Sequence, residues 1–156
     1  MHVLFDSVDL AQIPAGAPAV AGYVDGDWPT FPLLAKGWPN SRRLSIAVSP
    51  RQNAEVLDVE TGDAVAGDVV RWVNVQRARG ATRPCIYASL STMLLAVHPA
   101  LRASRLPRTS YRLWVADYTD VPHIPPGYGA CQWTCTALGR NLDESLCLPG
   151  FFDAVP

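Results

Sequence analysis

The sequence predicts an α/β domain built as a barrel of eight strands. Short apolar runs recur along the whole chain, and most of them end on or enclose a polar residue. Two connecting segments have the length and periodicity of helices, whereas the late connections are short or rich in proline. Polar groups at one end of many buried strands are typical of a barrel whose site lies at its C-terminal mouth. With 156 residues and 49% hydrophobic content, we expect one domain over residues 1–156.

The eight candidate strands are apolar runs of four to six residues. In chain order they are residues 2–5, 19–24, 44–48, 56–59, 85–88, 112–116, 130–133 and 141–146. The polar residues that end or interrupt them are Asp6, Asp25, Ser49, Asp58, Glu60, Ser89, Asp117, Gln132 and Asp143.

The connections between these runs predict an irregular barrel. Residues 64–79 form a predicted helix that Gly80 ends, and Ser91 is positioned to cap a helix over residues 92–98. The link at residues 119–129 is proline-rich and the next link is shorter, so we expect the last strands to join without helices, partly antiparallel. The fold class is therefore an irregular TIM-like β/α barrel with fewer than eight helices.

Charge and hydropathy exclude several functional classes. Net charge is −1, which gives no general attraction to nucleic acid. No apolar run reaches the roughly 20 residues of a membrane span, and the N-terminus lacks the basic segment of a signal peptide. Between Val69 and Ala116 lie eight arginines and no acid, which we interpret as a solvated face. These arginines are Arg71, Arg77, Arg79, Arg83, Arg102, Arg105, Arg108 and Arg112.

The four cysteines do not have the spacing of a metal site. We expect no metal and no cofactor. Cys85 lies in a predicted buried strand and is interpreted as an apolar filler. Cys131, Cys135 and Cys147 allow one disulfide in an oxidising compartment, and their pairing is left open.

Asp58 and Glu60 are the first candidates for chemistry. On one strand they point to the same side, with Cα atoms roughly 6–7 Å apart, and two close carboxyls raise the pKa of one another. On an exposed strand both acids would simply be hydrated. The apolar strand before them and the helix after them favour a site instead, because α/β folds build sites at such strand ends.

Several motifs resemble, in order, those of the family 25 glycoside hydrolases, the Chalaropsis-type lysozymes. The resemblance spans nearly the whole chain and is strongest to a short, arginine-rich subfamily of actinobacteria and their phages. The motifs are F-D-S at 5–7, V-A-G-Y-V-D-G at 20–26, L-D-V-E at 57–60, D-V-E-T-G-D at 58–63, I-Y-A-S at 86–89, L-W-V-A-D-Y at 113–118, C-Q-W-T at 131–134 and L-D-E-S at 142–145.

The resemblance implies an N-acetylmuramidase that cleaves the β-1,4 bond of peptidoglycan. It makes Glu60 the general acid, and Asp58 the group that assists the substrate's 2-acetamido group or stabilises the oxocarbenium-like transition state. Asp6 and Asp143 match two further acids of the family's barrel mouth. General acid catalysis and charge stabilisation by carboxyls agree with this assignment. Considered alone, Asp6 and Asp143 are also suitable as turn caps.

The candidate substrate-binding residues lie near the ends of the later strands. Tyr87, Trp114, Tyr118 and Trp133 are placed to stack on sugars or orient the acetamido group, although a tryptophan in a strand is often a core residue. Asp117 fits either the site or a turn, and Gln132 completes the set.

Two functional hypotheses follow. The first is a phage or actinobacterial peptidoglycan hydrolase, present in the host cytoplasm before release and acting at the cell wall. The second is a weak or inactive barrel that binds glycan or other virion proteins, which the short chain favours. For the chain as a whole, the expected partners are peptidoglycan glycan strands, with other phage virion proteins as a further option, and neither nucleic acid nor membrane is expected. A dinucleotide or phosphate-loop protein is excluded by the absence of G-x-G-x-x-G and P-loop motifs.

Overall fold

A computed structural model describes residues 1–153 and shows a closed barrel of eight strands in sequence order. Strands β1 to β7 run parallel to their neighbours, and β8 is antiparallel to both β7 and β1. The eight strands are β1 (His2–Asp6), β2 (Ala19–Tyr23), β3 (Arg42–Ala47), β4 (Val56–Asp58), β5 (Cys85–Ser89), β6 (Arg112–Ala116), β7 (Ala130–Thr134) and β8 (Asp143–Cys147). The predicted α/β class and the eight strands are confirmed.

The antiparallel region is smaller than the sequence predicts. β6 and β7 are parallel, although no helix joins them. The 13 residues between these strands are enough for a parallel crossover without regular structure. Only β8 reverses direction, because the link from β7 is short.

Four helices pack on the outside of the barrel. They are α1 (Phe31–Gly37), α2 (Val69–Ala78), α3 (Leu90–Thr92) and α4 (His98–Ser104), with a π-helical stretch at Met93–Val97 that joins α3 to α4. The sequence predicts α2 and the α3 region, but α1 was not predicted. The cap of α3 is Ser89 and not Ser91, because the Ser89 side chain accepts the Thr92 backbone N–H. No helix in residues 1–153 is long and apolar enough to cross a membrane.

Alternation along the strands divides the apolar residues between the inside and the outside of the barrel. The interior cluster includes Leu4, Val56, Tyr87 and Trp114, and Phe151 packs against it from the end of the barrel where the parallel strands begin. On the outside, a second cluster joins β4 to β7 with α2 and the helical run from α3 to α4. The interior of the barrel is therefore largely apolar between its two ends.

Gly22 in β2 lets α1 pack closely against the barrel. A Cβ atom at this position would lie 2.9 Å from Thr30 Oγ1 and 3.0 Å from Leu34 Cδ1. Both distances are too short for a side chain, so this strand position requires glycine. The close approach places the loop between β2 and α1 beside the mouth of the barrel.

The cysteines form no disulfide within residues 1–153. Cys85, Cys131 and Cys147 are buried, and Cys135 is exposed. Cys85 lies in the interior cluster, as its interpretation as an apolar filler requires.

Candidate active site

The barrel brings Asp6, Asp58, Glu60 and Asp143 to one mouth. Asp6, the last residue of β1, lies directly opposite Asp143, the first residue of the antiparallel β8. Asp58 is the last residue of β4, and Glu60 follows two residues beyond it, outside the strand. Because β1 and β4 are parallel members of one barrel, both place their final carboxyl at the same end.

Asp58 is the most constrained of these acids. It is 2% exposed, and its Oδ2 accepts the Tyr23 hydroxyl over 3.3 Å, whereas Oδ1 is buried without a hydrogen-bond partner in the described structure. Burial, followed by the charges of Glu60 and Asp63, raises the pKa of Asp58 to about 8, and the Tyr23 hydrogen bond acts against this rise. A buried carboxyl with one unpartnered oxygen is suited to accept a donor from a ligand.

Asp6 and Asp143 form a coupled pair across β1 and β8. Burial and the charges of Asp143 and Asp58 raise the pKa of Asp6 well above its usual range. Burial also raises the pKa of Asp143 to about 6, while hydrogen bonds from Gln132 and Asp6 favour its ionised form. These shifts favour the protonated form of Asp6 over that of Asp143. The Oδ1 atom of Asp6 is buried without a partner in residues 1–153.

Glu60 is the exposed member of the group. It lies in the turn after β4, where Gly62 adopts a φ of +99° that favours glycine. Partial burial, followed by the charge of Asp63, raises the pKa of Glu60. Its carboxyl therefore combines access from solvent with a greater tendency to stay protonated.

A cavity of about 200 Å³ lies beside Asp58 and Glu60. Most of the residues that line this cavity were not predicted from the sequence. The further lining residues are Val8, Tyr23, Asp25, Gly26, Asp27, Trp28, Val48 and Asp63. The quoted motifs at 20–26 and 58–63 contain Tyr23, Asp25, Gly26 and Asp63, so the sequence carried a signal for these four. Trp28, which is 60% exposed, follows the first motif and had no signal of its own.

Asp25 has a structural role at the edge of this cavity. Its two carboxylate oxygens accept the backbone N–H groups of Val48 and Ser49 at 2.9 Å and 3.0 Å. These bonds fix the segment after β3 against the segment after β2. A side chain that lines the cavity therefore also fixes the backbone of the cavity wall.

Three of the predicted substrate-binding residues form a hydrogen-bonded chain at the mouth. The buried Tyr87 donates its hydroxyl to Gln132 Oε1 over 2.6 Å, and Gln132 Nε2 donates to the Tyr118 hydroxyl over 3.1 Å. Tyr118 is 54% exposed. The chain leads from the barrel interior to an exposed aromatic ring.

The other three predicted substrate-binding residues lie away from the four acids. Trp114 is 1% exposed in the barrel interior and donates its indole N–H to Ser145 Oγ over 2.9 Å, so it has no face open to a ligand. Trp133 alternates with Gln132 and packs against the outer cluster. Asp117 accepts from His123 Nε2 over 3.0 Å on the outer side of β6. The structure does not place these three with the four acids.

The electrostatic field at the mouth is acidic. The charges that act on Asp6, Asp58, Glu60, Asp63 and Asp143 come from other acids. No group of three or more His, Cys, Asp or Glu side chains in the described part of the chain is placed to hold a metal ion. The site offers proton transfer and negative charge from its own side chains.

Solved structures share this architecture over nearly the whole chain. A muramidase from Trichobolus zukalii has a TM-score of 0.66 at 13% identity, covering 97% of this chain and 95% of its own. An uncharacterized protein from B. stearothermophilus has a TM-score of 0.75 at 14% identity, with both chains fully covered at 100%. The bacterial lysozyme from Streptomyces coelicolor has a TM-score of 0.59 at 12% identity, covering 98% and 94%.

No protein-family model and no curated protein sequence matches the chain. The resemblance to the Chalaropsis-type lysozymes is therefore confirmed as a likeness of fold, at identities too low to extend to individual residues.

Proposed function

We propose that this protein is a glycoside hydrolase that cleaves peptidoglycan as an N-acetylmuramidase. The observation that carries the proposal is the convergence of Asp6, Asp58, Glu60 and Asp143 on one barrel mouth. The shared fold of the T. zukalii muramidase and the S. coelicolor lysozyme supports the same assignment. Glycosidic cleavage needs one carboxyl that donates a proton and negative charge beside the anomeric carbon.

Glu60 fits the role of general acid. It lies at the edge of the cavity, it is accessible, and its raised pKa keeps more of it protonated near neutral pH. As the bond between the anomeric carbon and the leaving oxygen breaks, Glu60 gives its proton to that oxygen. The resulting carboxylate then accepts a proton from the water that attacks the anomeric carbon.

Asp58 fits the role of the assisting carboxylate. Asp58 lines the cavity, and its buried Oδ1 has no partner in the described structure, so it can accept the N–H of a substrate 2-acetamido group. Such a donor favours the ionised form and so lowers the pKa of Asp58 from about 8 when the glycan binds. The ionised carboxylate orients the acetamido group or stabilises the positive charge that develops on the sugar.

The remaining groups set the field and the position of the glycan. Asp143 adds negative charge, while the proton on Asp6 prevents full repulsion between the two carboxyls. Tyr118, held through Gln132, presents a ring on which a sugar face can stack. Trp114, Trp133 and Asp117 are left out of the proposed substrate contacts because of where they lie.

The decisive experiment measures reducing sugar released from purified actinobacterial peptidoglycan. We expect release by the wild-type chain and a fall of at least about a hundredfold in Glu60→Gln, as for loss of a general acid. Glu144→Gln is the matched control, because Glu144 is the next residue after Asp143 and lies opposite Phe5 on the outside of the barrel. It should keep wild-type activity. Far-ultraviolet circular dichroism checks that all three proteins are folded.

If the folded wild-type chain releases no sugar, the hydrolase proposal fails for this substrate. Glycan binding without cleavage, measured by co-sedimentation with the same peptidoglycan, is then the function to test. A phage or actinobacterial origin and a place in a virion stay predictions from the sequence.

A further inference from the structure

The acid-free arginine stretch does not form a uniformly solvated face. Three of its members, Arg83, Arg108 and Arg112, line one cavity of about 160 Å³. Arg112 is the first residue of β6, Arg83 lies two residues before β5, and Gly129 of the same cavity directly precedes β7. The cavity is therefore at the end of the barrel where the parallel strands begin, opposite the proposed active site.

Arg112 is held in the wall of this cavity by neutral partners. It is 4% exposed, its Nε and Nη1 donate to the backbone carbonyls of Arg83 and Phe151 over 2.7 Å and 2.6 Å, and its guanidinium lies 5.1 Å from the centre of the Phe151 ring. Carbonyls and a ring face offset part of the cost of burying the charge, but they do not neutralise it.

Arg108 is oriented in a similar way. Its Nη1 and Nη2 donate to the carbonyls of Tyr111 and Gly127 over 3.0 Å and 2.7 Å. A guanidinium has five N–H donors, so Arg108 and Arg112 each keep donors that these bonds do not use. Their side chains are fixed in direction before any ligand arrives.

The Arg83 side chain has no hydrogen-bond partner in the described structure. Its Nε is buried and unpaired, although the residue lines the cavity. The ion pairs within residues 1–153 are Arg42–Asp153 and His123–Asp117, so none of the three cavity arginines is neutralised by a described carboxylate. Three arginines with unused donors therefore line one cavity, and no carboxylate of residues 1–153 forms an ion pair with them.

We propose that this cavity, the arginine pocket, binds a phosphate group through Arg83, Arg108 and Arg112. At neutral pH inorganic phosphate carries between one and two negative charges and a phosphodiester carries one, and both present several acceptor oxygens that match planar guanidinium donors. The small volume admits the group itself and not a large attached body. The group can belong to free inorganic phosphate or to a phosphodiester of a cell-wall polymer. The pocket does not depend on the proposed hydrolase activity.

Arg83→Met is the informative variant, because it removes a charge and donors without breaking any described hydrogen bond. Arg77→Met is the control, since Arg77 is exposed on α2, belongs to the same acid-free stretch and does not line the pocket. The measurements are isothermal titration with inorganic phosphate and thermal unfolding in sodium phosphate against sodium chloride of equal ionic strength.

We expect saturable phosphate binding, a phosphate-specific rise in unfolding temperature, and an affinity loss of at least about tenfold in Arg83→Met but not in Arg77→Met. Equal unfolding temperatures in phosphate and chloride, or equal phosphate affinity in Arg83→Met and wild type, would overturn the proposal. A parallel titration with poly(glycerol phosphate) identifies the source. If the polymer binds more tightly than inorganic phosphate and Arg83→Met loses this binding, the ligand is a phosphodiester of the cell wall. If the polymer binds no more tightly than inorganic phosphate, the ligand is the free anion.

Discussion

Tyr23 donates its hydroxyl to Oδ2 of Asp58 over 3.3 Å and thereby joins the end of β2 to the end of β4 inside the barrel mouth. The bond favours the ionised form of Asp58, while burial favours the neutral form more strongly. Asp58 is therefore held between two protonation states, with one oxygen hydrogen-bonded and the other buried without a partner in the described structure. Small changes around it should alter both activity and stability.

Tyr23→Phe should shift the pH dependence of catalysis to higher pH. The substitution removes a hydrogen bond to the ionised carboxylate, so the pKa of Asp58 rises. If Asp58 acts as a carboxylate, the rising limb of the kcat/KM profile moves up by about one pH unit, given the usual strength of a hydrogen bond to a charged group. Tyr128→Phe, which removes a hydroxyl paired with His98 outside the mouth, is the control. A shift to lower pH, or none, would contradict the role of Asp58.

Asp58→Asn should change how stability depends on pH. Because its pKa is raised, Asp58 keeps its proton in the folded state between pH values of about 4 and about 8, whereas in the unfolded state it has lost that proton. Wild-type stability therefore falls as pH rises through this window, and the neutral amide removes that loss. We expect the variant to be more stable than wild type at pH 9, by on the order of 1–2 kcal/mol, with a smaller difference at pH 5.

Urea unfolding at pH 5, 7 and 9 measures this difference. The exposed Asp27, substituted by Asn, provides a control from the same cavity. A stability difference between Asp58→Asn and wild type that is the same at all three pH values would show that the folded protein does not resist ionisation of Asp58.

Substitutions of Trp114 and Tyr118 should have different effects, because Trp114 is a core residue and Tyr118 is a proposed ligand contact. Trp114→Ala empties a fully buried position beside Tyr87 and leaves Ser145 without its donor, so we expect a loss of about 3–5 kcal/mol in unfolding free energy. Tyr118→Ala removes an exposed ring and the hydroxyl that accepts from Gln132 Nε2, so it should cost about 1 kcal/mol, well below the loss in Trp114→Ala. Its effect should instead be a higher KM for peptidoglycan. Chemical unfolding and steady-state kinetics of both variants test the division, and the reverse pattern would refute it.

The sequence was sufficient to predict the barrel and the positions of its acids, because alternation and strand ends are local properties. Asp6, Asp58 and Asp143 end or begin strands, so their meeting follows once the strands close into a ring. The side of the barrel to which the Trp133 side chain points was harder to predict. The strand register shifts between Gln132 and Thr134, and apolar content alone does not identify the inner or the outer face.

The features that the sequence did not reveal depend on contacts between distant segments. Trp28 belongs to a loop that reaches the mouth only because α1 packs closely on β2. Arg83 and Arg112 are 29 residues apart, and the parallel pairing of β5 with β6 brings them to one cavity. From their residue type, both arginines were expected to be solvated, whereas their actual environment depends on where the fold places them.

Gly22→Ala should destabilise the protein even though alanine normally favours regular structure. A Cβ atom at residue 22 would lie 2.9 Å from Thr30 Oγ1 and 3.0 Å from the Phe31 backbone nitrogen, so β2 and α1 would have to separate. We expect a loss of about 1–3 kcal/mol, as for other overpacked positions. The displaced loop carries Trp28, so glycan binding should weaken as well.

Gly37→Ala is the matched control for this effect. Gly37 lies at the end of the same helix, α1, and a Cβ atom there meets no other atom within 4 Å. Because alanine restricts the unfolded chain more than glycine does, this variant should be equal to wild type or more stable by up to about 1 kcal/mol. Thermal and urea unfolding of both variants measure the contrast. Equal stability of Gly22→Ala and Gly37→Ala would mean that α1 is free to move away from β2, and the loop with Trp28 would then not be fixed beside Asp58 and Glu60.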